Sequence, residues 1–177
     1  MDIIVSSRMA VSGVVLKIQK NAPDSKVVVI SITDPKSDPV NLPVAYCDIL
    51  RLSFHDLDRT YPISCPAIVL FNKDMARQIK DFIVDHLCYN GTTDSAIMST
   101  SNNMFIVVHC EAGISRSSGV AGALAKHFIG DDFKFFKYPY LPNRLAYSVL
   151  LNMLNGRENI IPNVIIDEGS EENNIFG

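Results

Sequence analysis

The sequence predicts a single α/β domain whose mainly parallel central sheet is covered by helices. Three observations carry that expectation. The chain has 177 residues, 47% of them hydrophobic and 20% charged, which is enough apolar material for one core and too much for a disordered chain. Short β-branched runs alternate with stretches of helical spacing, the pattern of strands joined by crossover helices. The run 104–108, Met-Phe-Ile-Val-Val, is nearly unbroken in its apolarity, as in a strand covered on both faces.

In chain order, residues 3–5 and 27–32 are β-branched and read as strands, the second closed by Thr33-Asp34-Pro35. Residues 37–43 hold Pro39 and Pro43 and read as loop. Another strand is expected over 49–54. Asn72 offers an N-cap, and Met75, Ile79, Phe82, Ile83 and Leu87 then recur at helical spacing to about Cys88. The polar stretch 91–103 reads as a surface loop before the strand at 104–108. Residues 117–128, rich in Ala and Gly, suit a helix packed closely on a sheet. Pro142 can take the first position of a last helix carrying Leu145, Val149 and Met153. Residues 1–156 therefore read as one domain. Residues 157–177 read as an extension, with an apolar patch at 160–166 and an acidic, Asn-rich end expected to fray.

Composition removes several classes of function. Lys and Arg total 16 against 19 Asp and Glu, a net charge of −3, with a pI of about 5.7. That balance opposes a generalised electrostatic grip on nucleic acid. No segment approaches the roughly 18 apolar residues that cross a bilayer, and the start of the chain carries Asp2 and Arg8 without a basic leader. The expectation is a cytoplasmic protein that engages no membrane. The cysteines, Cys47, Cys65, Cys88 and Cys110, include no C-x-x-C pair and form no zinc pattern with the histidines, so no metal is expected. The first three read as small buried hydrophobes.

Cys110 differs because of its neighbours, His109-Cys110-Glu111-Ala112-Gly113-Ile114-Ser115-Arg116-Ser117-Ser118-Gly119. Bare C-x5-R spacing is weak evidence on its own. Its placement adds specificity, because a strand leads in and a helix leads out, a geometry that gathers backbone N–H groups around an anion. Gly113 sits where a chain curling round a phosphate needs a conformation that glycine enters cheaply. Cys110 would face the helix N-terminus near Arg116, and both features favour the thiolate. Arg116 offers a planar fork to two phosphate oxygens, which lysine cannot match. Ser117 could donate its hydroxyl to the sulfur when it leaves.

This stretch resembles the signature loop of the cysteine-dependent protein tyrosine phosphatase superfamily, most closely the compact bacterial and phage-type members of its dual-specificity branch. HCEAGISRSSG fills every defining position of that branch's HCxxGxSRS loop, and the resemblance covers about residues 49–154. It implies a protein tyrosine phosphatase-like fold and a phosphatase working through a phosphocysteine. Cys110 would be the nucleophile and Ser117 an aid to breakdown of the intermediate. The amides from Glu111 through Ala112, Gly113, Ile114 and Ser115 to Arg116 would hold the phosphoryl oxygens. It implies a phosphorylated protein or peptide as partner and no cofactor. His109 has two readings, a hydrogen-bonding residue of the site or a satisfied core histidine.

The family also uses an Asp on a loop upstream of the nucleophile as general acid. With no Trp in the chain, the tyrosine-specific version of that loop is absent. Asp56, directly past the strand at 49–54, is the first choice and Asp58 the rival. Asp34 and Asp38 also follow a strand, but the resemblance does not point to them, and His55 reads as a neighbour. No pocket-deepening Tyr segment is found, which suggests a cleft open to phosphotyrosine, phosphoserine and phosphothreonine. The alternatives are a phosphoinositide phosphatase, opposed by the lack of Lys in the loop, an RNA 5′-triphosphatase, opposed by the acidic pI, and a phosphate-binding module without turnover.

Overall fold

Four strands and four α-helices realise this alternation in the computed structural model of the chain, which describes residues 1–58, 67–88 (for Cys88, the backbone only) and 104–157. Cys65, the Cys88 side chain, the stretch 91–103, the patch 160–166 and the acidic end lie outside the described residues. Strands β1 (Asp2–Ser7), β2 (Lys26–Thr33), β3 (Asp48–Ser53) and β4 (Met104–Cys110) form one sheet in the order β1-β4-β2-β3. Every pairing among them is parallel. The helices are α1 (Val11–Asn21), α2 (Lys73–Cys88), α3 (Arg116–Phe128) and α4 (Arg144–Leu154), with a 3₁₀ turn at Phe133–Phe136. Among the described residues no helix is long and apolar enough to cross a membrane.

Side chains alternate across the sheet, so each strand feeds two apolar layers. Val28, Ile30, Ile32, Ile106 and Val108 pack with Ile79, Ile83, Val120, Leu124 and Leu150 from α2, α3 and α4. On the opposite face Val27, Val29 and Val107 meet Val11, Val15 and Ile18 of α1, together with Leu42. Each such fully buried aliphatic side chain contributes about 1.5–3 kcal/mol, so the two layers make a stiff platform. Cys47 is only partly buried at the edge of the α1 layer, where its thiol donates to the Pro43 carbonyl at 3.6 Å. Burial, helped by Asp48 and opposed by Arg51, raises the pKa of that thiol.

Helix boundaries follow local hydrogen-bond needs. Asn72 caps α2 as expected, its Oδ1 accepting from the backbone N of Asp74 (3.0 Å) and Met75 (3.1 Å). Pro142 is not the first residue of α4. Asn143 is the N-cap, with Oδ1 accepting from Ala146 N at 2.9 Å, and Pro142 stands one residue outside it. An amide oxygen can satisfy an orphan N–H of the first turn and a proline ring cannot. Helix α3 is buried at every residue from Arg116 to Ala125. Small residues permit that: a Cβ on Gly119 would lie 2.5 Å from the Asn143 carbonyl oxygen.

Helix α1 was not expected from the sequence. Val11, Val15 and Ile18 have helical spacing, but Val-Ser-Gly-Val-Val is poor in helix formers, and packing on the sheet overrides that preference. Since all four strands run the same way, Ser7, Thr33, Ser53 and Cys110 end on one edge of the sheet. The late strand β4 lies between β1 and β2. Segments leaving these ends converge at the edge where open α/β sheets bind ligands.

Candidate active site

Cys110 ends β4 opposite Ser7 of β1 and is buried. From it the loop 111–115 curls into α3. Its carbonyls face outward: Glu111 O accepts from Arg8 N at 3.1 Å, Ile114 O from Leu141 N at 3.1 Å, and Ser115 O from Asn143 N at 3.0 Å. Ser118 Oγ also donates to Ile114 O and, at 3.0 Å, to Ser115 O. A planar trans peptide points its N–H opposite its C=O, so outward carbonyls at 111, 114 and 115 turn the amides of Ala112, Ser115 and Arg116 inward. The first-turn amides of α3 add the partial positive charge of a helix N-terminus.

Gly113 makes the curl possible. Its φ is +74°, and a Cβ there would meet the Ser6 carbonyl carbon at 2.7 Å and Ser7 N at 2.8 Å. The loop therefore backs directly onto the end of β1, and any side chain at 113 would push it away. Glu111 closes the outer side through its carboxylate, 3.5 Å from Arg8 Nη1.

Inside the curl, Cys110 Sγ lies 3.1 Å from Ser117 Oγ. Arg116 is buried, and its Nη1 donates to Asp34 Oδ1 and to the Phe54 carbonyl, each at 2.9 Å. Its Nε is buried without a hydrogen bond among the described residues and stands 3.9 Å from Asp56 Oδ2. An unsatisfied buried donor costs about 1–3 kcal/mol, a deficit that an anionic oxygen arriving in the curl would remove. Asp34, which the sequence reading named as following a strand and set aside, is brought into the candidate site. The available signal was its position, directly past β2, the strand beside β4.

Asp56 leaves β3 on the same edge. Its Oδ1 accepts from Ser115 Oγ at 2.7 Å and from Asn143 Nδ2 at 3.0 Å. Asp56 and Asp58, the rival, are both exposed. His55 faces elsewhere, with Nδ1 accepting from Val69 N at 3.0 Å and its own N–H donating to Val69 O at 2.8 Å. His109 is fully buried under the loop, Nε2 at 2.8 Å from Ser31 Oγ on β2 and Nδ1 at 3.5 Å from the Cys110 carbonyl. Burial pushes its pKa down, Arg8 and Arg51 add to this, and the Cys110 hydrogen bond and Glu111 oppose it. The neutral ring can donate from one nitrogen and accept at the other.

A strand, a curled loop that carries a buried thiol and guanidinium, and a helix build the candidate site on an α/β fold. The fold is that of the cysteine-dependent protein tyrosine phosphatases. It is similar to the human tyrosine phosphatase-like serine/threonine/tyrosine-interacting protein, with a TM-score of 0.54 and 16% identity over 88% of this chain and 90% of that one. It is also similar to PTPMT1, solved in complex with PI(5)P, with a TM-score of 0.51 and 12% identity over 88% of this chain and 92% of that one. No protein-family model matches the sequence. No curated protein matches it either.

Proposed function

We propose that the chain is a cysteine-dependent phosphatase that hydrolyses phosphomonoesters, phosphotyrosine foremost and phosphoserine or phosphothreonine with it. The observation that carries this reading is the buried Arg116 guanidinium, held through Nη1 and, among the described residues, left unbonded at Nε. It stands at the end of the same short loop as a buried thiol. A cation held this way is suited to phosphoryl oxygens, whose charge it neutralises in a two-pronged contact.

In this mechanism Cys110 Sγ attacks phosphorus while Arg116 and the inward amides hold the equatorial oxygens. The bond from phosphorus to the leaving oxygen breaks, its electron pair stays on that oxygen, and Asp56 supplies the proton. Water then attacks the phosphocysteine, with Asp56 as base. The departing thiolate takes a hydrogen bond from Ser117 Oγ, which already stands 3.1 Å from the sulfur.

Assay of 4-nitrophenyl phosphate, whose leaving group hardly needs a proton, separates an enzyme from a phosphate-binding module. We expect turnover; tight binding without turnover supports the module instead. Asp56→Asn should lower kcat/KM for phenyl phosphate by about 10²-fold, the lower end of what a general acid contributes, and much less for 4-nitrophenyl phosphate. Asp58→Asn showing this leaving-group dependence in place of Asp56→Asn would reverse the assignment. A panel of phosphopeptides, phosphoinositides and 5′-triphosphorylated RNA then separates the substrate classes.

A further inference from the structure

We propose that Asn143, together with Ser115, decides which oxygen of Asp56 carries the proton and thereby acts as a positioning residue for the acid. The inference rests on the reading of Asp56 given above. A neutral carboxyl group has one oxygen that accepts and one that donates. Asp56 Oδ1 accepts twice, from Ser115 Oγ at 2.7 Å and Asn143 Nδ2 at 3.0 Å. A proton on Oδ1 would confront the Asn143 N–H, which can only donate, and would force the Ser115 hydroxyl to turn its own proton away. It therefore resides on Oδ2, the oxygen 3.9 Å from Arg116 Nε, on the side where a phosphate oxygen would sit.

The orientation of Asn143 is fixed by its other bonds. Its Oδ1 accepts from Ala146 N at 2.9 Å, so turning the amide over would set an NH₂ against an N–H. Its Nδ2 also donates to the Leu57 carbonyl at 3.1 Å, and its backbone N donates to Ser115 O at 3.0 Å. The residue is 2% exposed. One buried side chain thus ties the start of α4 to the acid segment, and its backbone ties both to the nucleophile loop. Arg116 is the near charge on Asp56, with Asp34 across the guanidinium, His55 and Asp58 on the same segment, and Arg144 beside the cap. As the bond from phosphorus to oxygen breaks, the proton passes from Oδ2 to the leaving oxygen. The two donors on Oδ1 then stabilise the carboxylate left behind.

Asn143→Ser and Asn143→Asp both keep a side-chain oxygen able to cap α4 while removing the amide donor. We expect Asn143→Ser to lose about tenfold more kcat/KM with phenyl phosphate than with 4-nitrophenyl phosphate, a part of the full general-acid effect. Asn143→Asp sets a carboxylate against Oδ1 in place of the N–H donor and should show the same split between the two substrates. Equal losses on both substrates in Asn143→Ser, while Asp56→Asn discriminates between them, would overturn the positioning role and leave the acid assignment standing. Absence of discrimination in Asp56→Asn itself would overturn both. Melting curves report whether Asn143→Ser folds; if it does not, equal losses on both substrates in Asn143→Asp overturn the proposal.

Discussion

Cys110→Ser should lose turnover by about 10⁴-fold or more, the scale on which removal of a nucleophile acts, while still binding a phosphotyrosyl peptide. The hydroxyl has nearly the size of the thiol and stays within reach of Ser117 Oγ, so the curl and its guanidinium persist. Only the attacking atom changes. Steady-state kinetics and calorimetric titration with the peptide check the two halves separately. Loss of binding together with turnover would mean that the loop needs the sulfur for its shape.

Arg116→Lys carries the second large effect, a fall of about 10²–10³-fold in kcat, comparable to removing one preorganised donor from a transition-state cradle. The wild-type guanidinium is anchored by Asp34 Oδ1 and the Phe54 carbonyl through one nitrogen, which leaves Nε for the ligand. An ammonium has one nitrogen, and it cannot serve both anchors and two phosphoryl oxygens in a plane. Asp34→Asn should show a weaker loss in the same direction, because a neutral amide oxygen can still accept from Nη1. Kinetics of Arg116→Lys at the wild-type level would locate the phosphate clamp elsewhere.

Much of the candidate site was legible because its residues are local in sequence. Cys110, Gly113, Arg116 and Ser117 lie within one loop, and the strand before it and the helix after it each have a clear apolar signature. Asp56 could be reached because a parallel sheet brings the carboxyl ends of its strands to one edge. The same rule brings Asp34 to that edge, but it does not say which side chain Asp34 meets. Its partner is 82 residues on in sequence, and their meeting depends on β4 entering the sheet beside β2, which no local pattern dictates. Asn143 was legible as the start of a helix and not as a contact of Asp56, since the contact arises from tertiary packing of α4 on α3. His109 stood between two readings; it is fully buried, with Nδ1 at 3.5 Å from the Cys110 carbonyl. Helix α1 was missed because β-branched residues and Gly13 hide a stripe that burial against β2 and β4 stabilises.

The central claim is that phosphate is transferred to Cys110. Ser117→Ala removes the hydroxyl that assists the departing sulfur, so the second step should slow and the covalent species should accumulate. Rapid acid quench of this variant during turnover of 4-nitrophenyl phosphate, followed by peptide mass spectrometry, reads the intermediate directly. The account predicts one phosphoryl group on the peptide containing Cys110 and none in the Cys110→Ser, Ser117→Ala double variant. Turnover with no phosphorylated Cys110 peptide, or a phosphoryl group on a different residue, would contradict it.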